Sequence, residues 1–166
     1  MSVDGSTTEL FLENAAKSAA GVHRAEGAEQ LRTTLAEIVA QEADVFCPRV
    51  TEQEKTAAAG IARLVPEYAS ARVTVEEVSA AIAETGSIVC TSDGGKAVQA
   101  SLLPSHHVAI VPQHKIFATL DEFFAGIAAA PPTNLTIITG PSRTADIELN
   151  LVIGVHGPER LDIIVT

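Results

Sequence analysis

Tryptophan is absent from the sequence, tyrosine occurs once and phenylalanine five times, so aromatics make up only 4% of the residues. Basic side chains are scarce too, 11 Lys and Arg against 21 Asp and Glu, for a formal net charge of −10. Nucleic-acid binding needs cations to displace counterions from phosphates and aromatic faces on which bases stack. The chain is short of both, and no nucleic-acid partner is expected. Its only cysteines, Cys47 and Cys90, are too far apart for a CxxC pair. Two thiols cannot supply the four ligands of an ordinary iron–sulfur cluster or structural zinc site, so they are expected as buried free thiols. GxGxxG and Walker A patterns are missing, which leaves no evident motif for a nicotinamide, flavin or nucleotide. No apolar run approaches the ~20 residues of a membrane span. Met1–Leu10 carries no Lys or Arg to begin a secretory signal, so a cytoplasmic location is expected.

What is present is the material of a core. Hydrophobic residues form 46% of 166 residues, enough for a single domain over residues 1–166, with a helical N-terminal part (about 1–66) packing on an α/β part. Leu10, Phe11, Ala15 and Ala19 make one weak helical stripe, and Leu31, Leu35, Ile38 and Val39 a clearer one. Val45-Phe46-Cys47 reads as a short strand stopped by Pro48. Thr51 with Glu54 reads as a capping box opening a helix through Ile61 and Leu64, ended by Pro66. From Arg72 the texture turns to short apolar runs with helical patterns between them. Thr74 with Glu77 suggests another short capped helix, and Ile88–Cys90 a strand reversing near Ser92-Asp93-Gly94-Gly95. Val108–Val111, Leu135–Thr139 and Leu161–Val165 are continuous rather than alternating runs, as strands covered on both faces are. Thr119-Leu120-Asp121-Glu122 caps a helix between the first two, predicting a βαβ unit. A second crossover is predicted through a helix over Ala145–Ile153. The expected fold class is α/β, a single domain with a mainly parallel sheet flanked by helices.

Thr139-Gly140-Pro141-Ser142-Arg143-Thr144-Ala145-Asp146 joins a strand to that predicted helix, at the carboxyl end of the strand where α/β sheets favour ligands. Gly140 permits close backbone approach, Ser142 and Thr144 offer hydroxyls, Asp146 an early carboxylate, and Arg143 a planar fork for a carboxylate or phosphate. An arginine at a helix start opposes the helix dipole, which favours a ligand-binding role for it over a purely structural one. The plain alternative is a capped helix with a surface ion pair. Ala83-Glu84-Thr85-Gly86-Ser87 places a carboxylate and two hydroxyls around a glycine, with Glu84 the candidate catalytic group. The alternative there is a polar turn. These segments are expected to face one cleft. His156, before Gly157-Pro158, is a secondary candidate expected away from Arg143, and a capping role suffices for it. His106 and His107, if extended, point to opposite faces and cannot share one metal; no metal site is expected.

These residues carry a family resemblance. Ala83–Val89, Leu103-Pro104-Ser105-His106-His107, Gly140–Glu148 and Gly154–Pro158 resemble the LUD-domain family, of the lactate utilisation protein C type, over roughly residues 72–166. The resemblance implies a fold akin to the ribose-phosphate isomerase, glucosamine-phosphate deaminase and CoA-transferase group. It also implies a cytoplasmic part in oxidising L-lactate to pyruvate beside iron–sulfur subunits, with the clusters in those partners, no cofactor on this chain and a small anionic ligand. The other class left open is a stand-alone enzyme or binding protein for a small phosphorylated or carboxylated metabolite.

Overall fold

The computed structural model describes residues 5–39, 44–92, 101–145, 151–153 and 157–166, those at 143–145 and 151–153 as backbone. Helix α1 (Gly5–Lys17) buries Phe11, Leu12 and Ala15, whereas Leu10 of the expected stripe faces solvent and Ala19 lies beyond the helix with φ of 65°. Helix α2 (Gly27–Val39) buries the expected set, Leu31, Leu35, Ile38 and Val39. Helix α3 (Glu52–Ala59) starts on the expected capping box: Glu54 N–H donates to Thr51 Oγ1 and Thr51 N–H to Glu54 Oε2. It ends sooner than predicted, with Gly60 N–H turned back onto Thr56 O. Helix α4 (Leu120–Ile127) begins at Thr119, whose hydroxyl accepts from Glu122 N–H.

Among the described residues, twelve strands follow. They are β1 (Gly21–Arg24), β2 (Asp44–Phe46), β3 (Arg63–Leu64), β4 (Val73–Glu77), β5 (Ala80–Ile82), β6 (Ser87–Ser92), β7 (His106–Val111), β8 (Ile116–Phe117), β9 (Asn134–Ile138), β10 (Arg143–Ala145), β11 (Leu151–Ile153) and β12 (Arg160–Val165). Six form a wholly parallel sheet in the order β1-β12-β7-β4-β2-β3. A second sheet, β8-β5-β6-β9, is mixed, and β10 pairs with β11 antiparallel.

The layers follow from strand alternation. Val73, Val75, Val108, Ile110 and Ile164 meet Leu31, Leu35 and Ile38 of α2 and Ala57 of α3 on one face of the large sheet. Ala109, Val111, Leu161 and Ile163 on its other face meet α1 together with Ala81, Ile88 and Cys90 of the second sheet. Behind that sheet Phe123 of α4 closes on Ala80, Ile82 and Val89. Every residue of β7 is buried, and all of β12 but Arg160. That accounts for the unbroken apolar runs read from the sequence. The architecture is thus the expected α/β class with a mainly parallel sheet flanked by helices.

Several local expectations are corrected. Residues 1–66 supply α1–α3 and also β1–β3, so this part is built into the large sheet and does not simply lie on it. Thr74–Glu77 does not cap a helix: it lies in β4, where β-branched Val73, Thr74 and Val75 are buried. The run Val108–Val111 and the run ending at Ile138 are no βαβ pair, because β8 has already carried the chain into the second sheet before α4, and β9 then pairs antiparallel with β6. The second crossover fails likewise, because Ala145 faces Leu151 and Arg143 faces Ile153 in a strand pair where a helix was expected. Thr144, Val152 and Ile153 there are β-branched and favour extended backbone.

Candidate functional site

The two segments singled out in the sequence meet. Antiparallel pairing of β6 with β9 sets Ile88 opposite Ile138, so the turn before β6 lies beside the segment after β9. Ser87 Oγ lies 2.7 Å from Thr139 Oγ1 and donates to Thr85 Oγ1 at 2.7 Å, forming a chain of three hydroxyls. Gly86 and Gly140 both have positive φ, 66° and 72°, and both lie against the end of α1. A Cβ on Gly86 would stand 2.1 Å from Ala15 N, and one on Gly140 2.0 Å from Ser18 O. The glycines are required here by crowding as well as by conformation. Asn14 Nδ2 secures the junction by donating to Ala83 O at 2.9 Å and Glu84 O at 3.2 Å.

Glu84 is exposed, and its Oε1 accepts from Leu120 N–H at 2.6 Å, adding a carboxylate to the N-terminus of α4. That contact makes it a positioning group between the turn and α4. Ser142 N–H donates to Pro158 O at 2.9 Å, drawing the loop after β9 to the segment before β12. Arg143 and Thr144 lie on β10, so the helix-dipole argument for Arg143 does not apply, although its place next to the Gly140 junction does. Asp146 and His156 lie outside the described residues. Ile153 of β11 lies directly opposite Arg143, a strand pair in place of the helix on which the expected separation rested.

A second constellation, buried between the two sheets, was not anticipated. Glu76 on β4 is wholly buried; its Oε2 accepts from Arg49 Nη2 at 2.8 Å and Nε at 3.2 Å. Its Oε1 accepts from Ser101 Oγ, lies 3.0 Å from His107 Nε2, and takes the Cys90 thiol at 3.8 Å. Burial alone would raise the Glu76 pKa, but the neighbouring His107, Ser101 and Arg49 outweigh it and hold the group at about 2. Burial pushes the Cys90 thiol up to about 12 and Cys47 to about 11. His107 Nε2 is at ion-pair distance from Glu76 without hydrogen-bond alignment, and its Nδ1 has no hydrogen-bond partner among the described residues. The available signal was a glutamate inside the apolar strand run Val73–Glu76, which the capping-box reading of Thr74 and Glu77 obscured.

His106 points the other way, as alternation requires, and its Nε2 lies 2.7 Å from Asp162 Oδ2. His23 Nε2 meets the other oxygen at 2.9 Å and Arg160 Nε stands 2.7 Å from Oδ2. Burial works to raise the Asp162 pKa, yet the two imidazoles and the guanidinium lower it from 3.8 to about 2. Gly21 makes room for this cluster, since a Cβ there would fall 2.1 Å from Asp162 Oδ1.

Among known proteins, the family model described as the LUD domain matches residues 50–166. A lactate utilization protein C from Macrococcus caseolyticus is 39% identical over 107 residues, covering 61% of this chain and 46% of the relative. One from Halalkalibacterium halodurans is 36% identical over 104 residues, 59% of this chain and 45% of that protein. The matched stretch therefore spans less than half of these relatives. Among solved structures, a DUF162 family protein from Deinococcus radiodurans superposes with a TM-score of 0.75 over 96% of each chain at 24% identity, which shows the shared fold.

Proposed function

The chain belongs to the LUD domain family, and from that membership we propose that it works in lactate utilisation, binding a small carboxylate where the turn before β6 meets the segment after β9. The observation that carries this reading is the hydroxyl chain Thr85–Ser87–Thr139, which joins two polar segments far apart in sequence beside Gly140. Hydroxyls and backbone N–H groups can hold a carboxylate, and Arg143, next along the chain, can add a bidentate donor. Glu84 keeps α4 against this junction, and Ser142 ties it to Pro158.

Oxidation of L-lactate to pyruvate removes two electrons and two protons. With two cysteines and no cofactor motif, this chain leaves the electrons to iron–sulfur partner subunits in the proposed assembly, where its own part is to bind and orient. Affinity capture of the full tagged chain from its native cells tests this. Co-eluting proteins with visible iron–sulfur absorption are expected, and a colourless chain when it is purified alone. Arg143→Ala should abolish lactate-dependent growth, and Arg143→Lys should restore it in part, since an ammonium keeps the charge and loses the fork. Wild-type growth of Arg143→Ala overturns the site, and capture without any iron–sulfur protein overturns the complex.

The second reading is a stand-alone enzyme or binder for a small phosphorylated or carboxylated metabolite, which the Thr85–Ser87–Thr139 hydroxyl chain suits equally. Turnover of such a metabolite by the isolated chain would favour it over the complex.

A further inference from the structure

We propose that Glu76, Cys90 and His107 form a binding site for one thiophilic divalent cation of the zinc type, held between the two sheets and separate from the hydroxyl junction. The three side chains present one carboxylate oxygen, one sulfur and one imidazole nitrogen, all within 4.8 Å of one another. Tetrahedral zinc, with ligands at ~2.0–2.3 Å, sets neighbouring donor atoms about 3.3–3.8 Å apart. Here Glu76 Oε1 lies 3.0 Å from His107 Nε2 and 3.8 Å from Cys90 Sγ, so small side-chain shifts admit an ion. A mixed O, N and S donor set favours zinc or cobalt over magnesium or calcium, which take oxygen alone.

A second observation points to a missing partner. His107 is wholly buried, yet among the described residues neither ring nitrogen has an aligned hydrogen bond, and Thr74 Oγ1 on the same face of the sheet has none either. Buried polar atoms are as a rule satisfied, and an imidazole that meets a carboxylate only out of hydrogen-bond alignment is a group that a metal completes. Arg49 engages Glu76 Oε2, which fixes the carboxylate and leaves Oε1 as its metal-facing oxygen. Ser101 Oγ reaches the same Oε1 and brings an oxygen donor for the remaining position. A thiol, an imidazole and a carboxylate together also suggest nucleophilic catalysis. Cys90, however, is wholly buried, so no substrate reaches it.

On binding, the Cys90 thiol gives its proton to solvent and His107 Nε2 donates its lone pair. Two anionic ligands, the Arg49 cation and a dication sum to one positive charge, in a chain whose formal net charge is −10.

The test uses the full chain, freed of metal with a chelator, loaded with zinc or cobalt(II) and dialysed. One metal per chain is expected by elemental analysis, with X-ray absorption of the zinc-loaded wild type showing one sulfur among nitrogen and oxygen ligands. The cobalt form should show a thiolate-to-metal charge-transfer band that Cys90→Ser removes and Cys47→Ser retains. A zinc shell without sulfur overturns the proposal even if the Cys90 variant fails to fold. So does a band that survives in Cys90→Ser or disappears in Cys47→Ser. None of these readouts depends on lactate, so the site and the functional reading can fail independently.

Discussion

At the residue scale, the most informative positions are glycines and buried charges. Gly86 and Gly27 both have positive φ, 66° and 81°, but a Cβ on Gly86 runs into Ala15 whereas one on Gly27 meets nothing within 4 Å. Gly27→Ala should therefore cost about 1 kcal/mol, the conformational penalty alone, and Gly86→Ala roughly 2–4 kcal/mol. Denaturant melts of the two variants check the difference; equal losses would mean that α1 is not seated on the turn. Glu76 and Asp162 both titrate near 2 when folded, below their ordinary values of 4.5 and 3.8. A depressed carboxylate contributes stability above its unfolded pKa and loses it as the pH falls through the folded value. The melting temperature should accordingly drop between about pH 4.5 and 2. Asp162→Asn should flatten that acid limb while lowering stability near neutrality, because His23, His106 and Arg160 lose their common anion. An unchanged acid limb in that variant would show that Asp162 does not govern it. The meeting of Thr85–Ser87 with Thr139–Gly140 was legible as two polar segments next to strands. The Glu76 cluster was not, because its members come from β4, β6 and β7 and, in Arg49 and Ser101, from two segments between strands, and local spacing carries no trace of that convergence.

At the scale of elements, one local pattern had two outcomes. Thr followed by Glu three positions later opens α3 and α4, where the Thr hydroxyl accepts from the Glu N–H. The same spacing in Thr74 and Glu77 lies in a strand, since β-branched neighbours on both sides of Thr74 are buried between sheet partners. Burial on both faces outweighed a cap worth about 1 kcal/mol. Thr51→Ala should cost the protein roughly 0.5–2 kcal/mol, read as a shift in the urea midpoint at constant slope. A neutral result would mean that α3 is held by its packing on α2 alone. Strand β1 escaped notice because four residues between two helices show no alternation that burial would impose. The β10–β11 pair read as a helix because its apolar residues, taken without partners, fit either period.

At the scale of the whole molecule, the class of fold followed from continuous apolar runs, but their assignment to two sheets did not. Strands β7 and β12 share the large sheet while β9, equally apolar in sequence, forms the edge of the other. Which sheet a run joins depends on β8, only two residues long, which moves the chain across. The family match begins at residue 50, yet β1 and β2 belong to the same sheet as the matched strands. A fragment of residues 50–166 would expose β12 along the edge that β1 covers and leave β4 without β2. It is expected to lack a cooperative melt and a dispersed amide NMR spectrum, and a fragment showing both would mean that the first strands are dispensable. The pairing of β1 with β12 has a kinetic consequence. His23 and Asp162 are 139 residues apart in sequence, and that closure cannot form until β12 has left the ribosome. Folding therefore waits on a late closure, and a pairing of such long sequence separation slows it. Until then Phe11 and Leu12 of α1 lack Leu161, Ile163 and Val165 of the cluster that covers them, an interval of the kind that chaperones shorten.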